Sequence, residues 1–280
     1  MTIEFTQVEP ARAEHAIDLA PIELVDVGIR RGTRQVFVRL SLHLNERRIG
    51  LIGGNGSGKS SLLRLLNGLL LPDSGHVQVG PDTTHRARDK VMAGFGFVFQ
   101  NPDHQIIFPT VAEEIESGLS LRGANRIEAR EAARHLLAAN GCADWGTRAI
   151  AELSEGQKQL VCILSALACA PHTLLLDECF ASLDLRTRLD LARTLRELPQ
   201  RQIMASHDLD LLADFDRVIW LDDGHIRGDG APADIISRYR AAMNDTLHDV
   251  IHDAMHDAAH ETMNDSSHAA PPARQADAPP

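Results

Sequence analysis

The chain has 280 residues, 44% of them hydrophobic and 4% aromatic, and a net charge of −11. That length allows one large domain or two small ones around a sizeable core, and the acidic balance excludes a nucleic-acid surface, which needs clustered Lys and Arg. No apolar run approaches the ~20 residues that cross a bilayer and no secretory start is visible, so a cytosolic protein is expected.

In chain order, residues 1–20 are polar and weakly patterned, a loose leader. Residues 22–27 alternate as a half-buried strand should. Gly32-Thr33 reads as a turn, and residues 36–38 and 40–44 as two further strands of an antiparallel region. Residues 48–52 form a short buried strand, and residues 61–67 carry the apolar spacing of a helix. Between them, Gly53-Gly54-Asn55-Gly56-Ser57-Gly58-Lys59-Ser60 fits the pattern G-x-x-x-x-G-K-[ST] completely. Its glycines let backbone N–H groups turn in on a polyphosphate, and the helix N-terminus adds partial positive charge. Lys59 can then reach the β- and γ-phosphates, and the Ser60 hydroxyl can ligate Mg²⁺. The pattern predicts a nucleoside triphosphate site.

Pro72 and Gly75 stop the first helix, residues 76–79 return as a strand, and residues 83–89 are a polar connection. Residues 94–100 form an apolar strand ending in Gln100. Helical spacing follows over 111–121 and 127–140, with Gly118, Gly123 and Gly141 as punctuation. This predicts a helical subdomain inserted between halves of an α/β core. Another helix opens at residues 153–157. Residues 173–178 are a buried strand ending in Asp177 and Glu178, 186–198 an amphipathic helix, and 202–208 a strand ending in polar groups. Residues 217–227 read as a hairpin around an Asp-Gly turn, and 233–243 as a closing helix. The four cysteines (Cys142, Cys162, Cys169, Cys179) lack C-x-x-C spacing, so reduced, packed thiols are expected rather than structural zinc.

Strands alternating with helices imply a mainly parallel sheet covered on both faces, with ligands beyond the carboxyl ends of the strands. The phosphate loop, Gln100, Asp177, Glu178 and His207 all follow expected strands. Asp177, at the end of a continuous apolar run, is compensated if it holds Mg²⁺ directly or through water. Glu178 can polarise the attacking water as a general base, Gln100 can bridge water and metal, and His207 can donate to the γ-phosphate or orient the water.

This set resembles the nucleotide-binding subunit of an ATP-binding-cassette (ABC) transporter over residues 21–240, through the phosphate loop, Gln100 in the Q-loop, the signature Leu153-Ser154-Glu155-Gly156-Gln157, Asp177-Glu178, the D-loop Ala181-Ser182-Leu183-Asp184 and the switch His207. The resemblance implies an α/β P-loop fold with a RecA-like parallel core, an antiparallel β subdomain and an inserted helical subdomain (about 103–160). It also implies that Ser61 joins the nucleotide contacts. Ser154 and the Gly156 N–H would meet the γ-phosphate held by the opposite subunit of a head-to-tail dimer. Three positions depart from the family pattern. Glu155 replaces a glycine, placing a carboxylate near phosphate. Cys179 stands where proline is usual, a change in loop stiffness. Arg31 occupies the place of an aromatic ring that stacks on adenine, where a guanidinium plane can stack too or a turn arginine stays solvated.

Residues 99–111 look like the Q-loop stretch of energy-coupling factor importers, which take up vitamins or transition metals through a substrate-binding membrane protein and a transmembrane coupling protein. In that family the stretch forms the groove that receives helices of the coupling protein. Leu198-Pro199-Gln200-Arg201-Gln202 looks most like the biotin-type ATPase. An ATPase peripheral to the cytoplasmic face of the inner membrane is therefore expected, paired with a second ATPase subunit, identical or homologous. The ATPase domain spans 21–243, and 244–280 is a low-complexity tail in which His248, His252, His256 and His260 recur every fourth residue. That spacing stacks them on one face of any helix that forms and can chelate Ni²⁺, Co²⁺ or Zn²⁺. A solvated acidic tail, incidental metal binding, and metal handling by a nickel or cobalt importer are the three readings. A soluble non-transport cassette ATPase is the alternative of another class; the long coiled-coil insertion or second cassette typical of those proteins is not seen here.

Overall fold

The computed structural model describes residues 19–121, 123–181 and 183–245. β1 (Ile22–Arg31) and β2 (Arg34–Leu44) pair antiparallel across the Gly32-Thr33 turn. β4 (Ser74–Val79) pairs with the other edge of β1, and the two-residue β5 (Asp82–Thr83) closes a four-stranded antiparallel sheet. β2 is one strand where the sequence suggests two. Extra residues shift the register three times, once on β1 between Leu24 and Val27 and twice on β2, between Leu40 and Phe37 and between Phe37 and Gln35. Asp26 and Arg39 adopt φ of 47° and 51° there. A bulge of this kind interrupts the side-chain alternation without ending the strand.

β3 (Arg48–Ile52), β6 (Phe95–Val98), β7 (Thr173–Asp177), β8 (Arg201–Ala205) and β9 (Arg217–Asp222) form a parallel sheet in the order β9-β3-β8-β7-β6, and β10 (His225–Gly230) adds an antiparallel edge beside β9. β7 and β8 are buried at every residue, which matches the covered faces that βα crossovers impose. α1 (Lys59–Leu66) packs on β7 and β8. The expected α/β class is what the structure has.

Between β6 and β7 the chain builds α3 (Val111–Leu121), α4 (Arg126–Ala139) and α5 (Glu155–Ala168), which pack on one another. Gly118, read as punctuation, lies inside α3: a Cβ there would come within 2.9 Å of Cys169 Sγ and 3.3 Å of the Ser165 carbonyl. It is a helix–helix contact glycine, not a stop. The connection read at 83–89 also contains the start of α2 (Arg88–Ala93), a helix with Val91 as its buried residue and so too short to show a period. α6 (Leu185–Glu197) follows β7. The chain divides at Ile236 into two compact units; residues 232–236 of the first and 237–245 of the second are helical. Burial pushes the Cys142 thiol up to about 11 and that of Cys162 to about 12, as expected of packed thiols. Among the described residues no helix is long and apolar enough to cross a membrane.

Arg201, at the start of β8, is 1% exposed. Its guanidinium donates to the carbonyls of Ala20 (2.7 Å), Glu46 (3.1 Å), Leu19 (3.3 Å) and Asn45 (3.4 Å), tying the sheet to the chain before β1 and to the β2–β3 turn. Arg201→Leu is expected to lower the free energy of unfolding by about 3 kcal/mol, because it leaves buried acceptors unpaired. A urea titration checks this, with the midpoint falling at unchanged slope; an unmoved midpoint would mean that water replaces the guanidinium.

Candidate nucleotide site

The phosphate loop leaves β3 and is shaped by its neighbours as much as by its glycines. Gly53 has φ 146°, and a Cβ on it would stand 2.1 Å from the Leu221 carbonyl oxygen of β9. Gly58 has φ 111°, and a Cβ there would stand 2.8 Å from the buried Phe37 ring of β2. Only glycine lets the loop pass between the two sheets. The Ser57 N–H donates to the Gly54 carbonyl (3.2 Å), and the Gly224 N–H, from the β9–β10 turn, donates to the Ser57 carbonyl (3.1 Å).

Lys59 is the first residue of α1 and 4% exposed. Its Nζ donates to the carbonyls of Gly53 (2.9 Å) and Gly54 (3.2 Å) and lies 3.4 Å from Glu178 Oε1. The first turn of α1 has no acidic residue and no side-chain cap, so its N–H groups and dipole are available to an anion.

At the end of β7, Asp177 is 3% exposed, and its Oδ1 accepts from the Ser60 hydroxyl at 2.8 Å. Burial pushes its carboxyl above the usual carboxylate range, and the Ser60 hydrogen bond partly offsets this. Glu178 then turns out of the strand with φ 51°, its N–H donating to the Ala205 carbonyl at 3.0 Å. A non-glycine residue in that region carries about 1 kcal/mol or more of strain. The turn aims the carboxylate back at the loop, where Oε1 lies 3.1 Å from Nε2 of His207, which follows β8. Cys179, next in line, is fully buried, and burial raises its thiol pKa strongly.

Lys59, Glu178 and His207 thus form one set of contacts and Ser60 with Asp177 another, brought side by side because Lys59 adjoins Ser60 and Asp177 adjoins Glu178 in the chain. Gly54, Asn55 and Gly56 are exposed along the loop, while Ser61 is buried in α1. Gln100 is exposed two residues beyond β6, and its loop is fastened to α5. Gln159 donates to the Phe99 carbonyl (3.0 Å), Gln105 accepts from the Phe99 N–H (3.2 Å) and donates to the Cys162 carbonyl (3.0 Å), and Lys158 pairs with Asp103 (2.7 Å).

Residues 153–157 begin α5. Leu153 is buried, Ser154 and Glu155 are exposed, and Gly156 and Gln157 are half-buried. Ser154 Oγ accepts from the Gln157 N–H (3.3 Å), and Gln157 Oε1 accepts from the Ser154 N–H (3.0 Å), a complete capping box. Asp184 caps α6, accepting from the N–H (3.1 Å) and the hydroxyl (2.6 Å) of Thr187. Those bonds hold its carboxyl below the usual range.

Arg31 is exposed at the end of β1, opposite Arg34 across the hairpin turn. The guanidinium that touches the phosphate loop is that of Arg34, which donates to the Gly56 carbonyl (3.0 Å) and pairs with Asp223 (3.3 Å). Sequence reasoning missed it, because both partners are remote in sequence. Ser182 and the tail histidines His248, His252, His256 and His260 lie outside the described residues. Among the described residues no group of three or more His, Cys, Asp or Glu is placed to hold a metal ion.

Residues 37–181 match the family model described as ABC transporter. The chain is 45% identical over 225 residues to the biotin transport ATP-binding protein BioM of Rhodobacter capsulatus, covering 79% of this chain and 96% of that one. It is 36% identical over 210 residues to the energy-coupling factor transporter ATP-binding protein EcfA1 of Levilactobacillus brevis (72% and 74% covered). Among solved structures it is similar to the dimeric post-hydrolysis state of the ATP-binding cassette MJ0796 bound to ADP and Pi, with a TM-score of 0.66 and 26% identity, covering 75% of this chain and 98% of that one.

Asp177→Asn is expected to stabilise the ligand-free protein by about 1 kcal/mol, since the amide oxygen still accepts from Ser60 and no buried charge remains to be desolvated. The sign follows from the raised pKa: the folded state disfavours the ionised carboxylate, so the parent loses stability as pH rises through that value. The gain from the substitution should therefore be largest near neutral pH and shrink as the medium is acidified. Thermal melts at several pH values check this.

Proposed function

Because the chain belongs to the ABC transporter family of ATP-binding subunits, we propose that it is the ATPase of an energy-coupling factor importer, peripheral to the cytoplasmic face of the cell membrane, with biotin as its cargo. The observation that carries the hydrolytic reading is the contact of Lys59 and His207 with one oxygen of Glu178 at the mouth of the phosphate loop. The loop N–H groups and Lys59 hold the β- and γ-phosphates. A triphosphate draws the Lys59 ammonium toward its own oxygens and leaves the Glu178 carboxylate to a water. That water attacks the γ-phosphorus, the bond to the β–γ bridging oxygen breaks, ADP leaves with phosphate, and the water's proton goes to Glu178. His207 keeps the carboxylate aimed. Ser60 and Asp177 are hard oxygen donors that suit Mg²⁺, with Gln100 as a further ligand, and the ion neutralises phosphate charge when bound.

Ser154 and the first turn of α5 are solvent-facing, which supports a role toward the nucleotide of a second ATPase subunit, identical or homologous. The dimer of the MJ0796 cassette supports the same arrangement. Ile107 (83% exposed) and Phe108 form an apolar loop whose N–H groups donate to the buried Glu114 carboxylate at 2.9 and 3.0 Å. A fixed apolar knob of this kind suits a helix of the transmembrane coupling protein, which works with a small substrate-binding membrane protein. The similarity to BioM favours biotin. The spacing of His248, His252, His256 and His260 favours a second reading, a nickel or cobalt importer whose tail binds Ni²⁺, Co²⁺ or Zn²⁺.

Glu178→Gln is expected to keep ATP affinity within about twofold while lowering steady-state hydrolysis at least about 100-fold; hydrolysis at the parent rate would refute the base assignment. Lys59→Ala should instead weaken nucleotide binding about tenfold or more, measured by equilibrium titration. For the cargo, isolation from the native membrane should yield a biotin-binding partner. Calorimetric titration of Ni²⁺ into the full chain and into a chain ending at residue 245 decides the tail: equal, weak heats exclude a metal role.

A further inference from the structure

His207 is 47% exposed, so packing alone does not fix its ring. Its place is set by the residues on either side. Ser206 is buried, its N–H donating to the Leu51 carbonyl of β3 (3.2 Å) and its Oγ accepting from the Asp208 N–H (3.0 Å). Asp208 divides its carboxylate. Oδ1 caps the short turn Leu209–Leu212 by accepting from the Asp210 N–H (3.2 Å), and Oδ2 pairs with Arg188 Nη1 at 2.9 Å. Arg188 lies in the first turn of α6, and its N–H donates to the carbonyl of Asp184, the residue that caps that helix. The helix that starts at the D-loop therefore grips the loop that carries the histidine.

We propose that Arg188 is a positioning residue for ATP hydrolysis: through Asp208 it holds His207 against Glu178 and makes that alignment depend on where Asp184 and the start of α6 stand. The inference rests on the assignment of Glu178 and His207 to hydrolysis. Asp184 is exposed at the start of α6, so a partner that meets it there acts on α6 and through Arg188 on the histidine. Both members of the pair are about 30% exposed, and such a pair adds little to folding stability. A displaced catalytic group, by contrast, slows the chemical step strongly.

The test is steady-state ATP hydrolysis by the full-length chain carrying Arg188→Ala, Arg188→Lys, Asp208→Asn or the double substitution Arg188→Ala with Asp208→Asn. Asparagine keeps the Oδ1 acceptor that caps the following turn and removes the charge that Arg188 meets. Arg188→Ala and Asp208→Asn should each lower kcat about tenfold with KM for ATP within about twofold, the double variant should be no worse than the poorer single one, and lysine should restore at least half of the rate. Thermal midpoints should stay near that of the parent. An unchanged kcat in Arg188→Ala, additive losses in the double variant, no rescue by lysine, or a raised KM with a fallen midpoint would each overturn the proposal. Glu178→Gln separates the two levels: if that variant still hydrolyses ATP, the reading of the site falls; if it is inactive while Arg188→Ala matches the parent, only the role of Arg188 falls.

Discussion

The site depends on a buried ammonium. Lys59 is held in the mouth of its loop by two carbonyls and one carboxylate oxygen at 3.4 Å, with almost no access to water. Carbonyl oxygens solvate an ammonium but do not neutralise it, and a desolvated charge seeks a close counter-charge. Glu178 fills that need in the ligand-free protein, at the cost of a left-handed backbone conformation at its own position. A triphosphate brings far more negative charge to the same place. On the proposed function the nucleotide and Glu178 therefore compete for one cation, and the winner decides whether the carboxylate is tied up or free to take a proton.

That competition works only if the cavity cannot collapse around the lysine, and the two sheets prevent this. Phe37 from the antiparallel sheet presses on Gly58, Leu221 from the parallel sheet passes against Gly53, and Gly224 in the β9–β10 turn grips Ser57. Arg34 of β2 and Asp223 of the β9–β10 turn close the outer side. The loop is thus shaped from three directions before any ligand arrives, and little binding energy is spent on ordering it.

Much of this was legible in the sequence, for identifiable reasons. β7 and the phosphate loop announce themselves because a buried parallel strand is a continuous apolar run, and because a polyphosphate cradle requires glycine and lysine at fixed offsets. Contacts between residues remote in sequence left no mark. Arg34 looks like any turn arginine until the fold brings Gly56 beside it, and Arg201 looked like part of a tight helix–strand link until it proved to hold four carbonyls. The bulge that joins the two apparent halves of β2 was illegible for another reason: it breaks the period-2 pattern that alone identifies a strand. α2 was missed because six residues bury too little to show any period.

Ser154 and Asp184 both use their side chains at home, capping α5 and α6. For Ser154 this leaves a specific capacity. Its Oγ accepts from the Gln157 N–H, so its own proton remains available to donate, and a phosphate oxygen is an acceptor only. A capped serine is thus prepared to meet phosphate without giving up its helix. Glu155 opposes that preparation. A carboxylate in the first turn of α5 is favourable for the helix dipole while that end faces water, but it competes with an incoming phosphate for the same positive pole. In the proposed dimer, the departure from glycine therefore stabilises the solitary subunit and opposes closure on a neighbour's nucleotide, so that whatever pushes the subunits together must also turn this side chain aside.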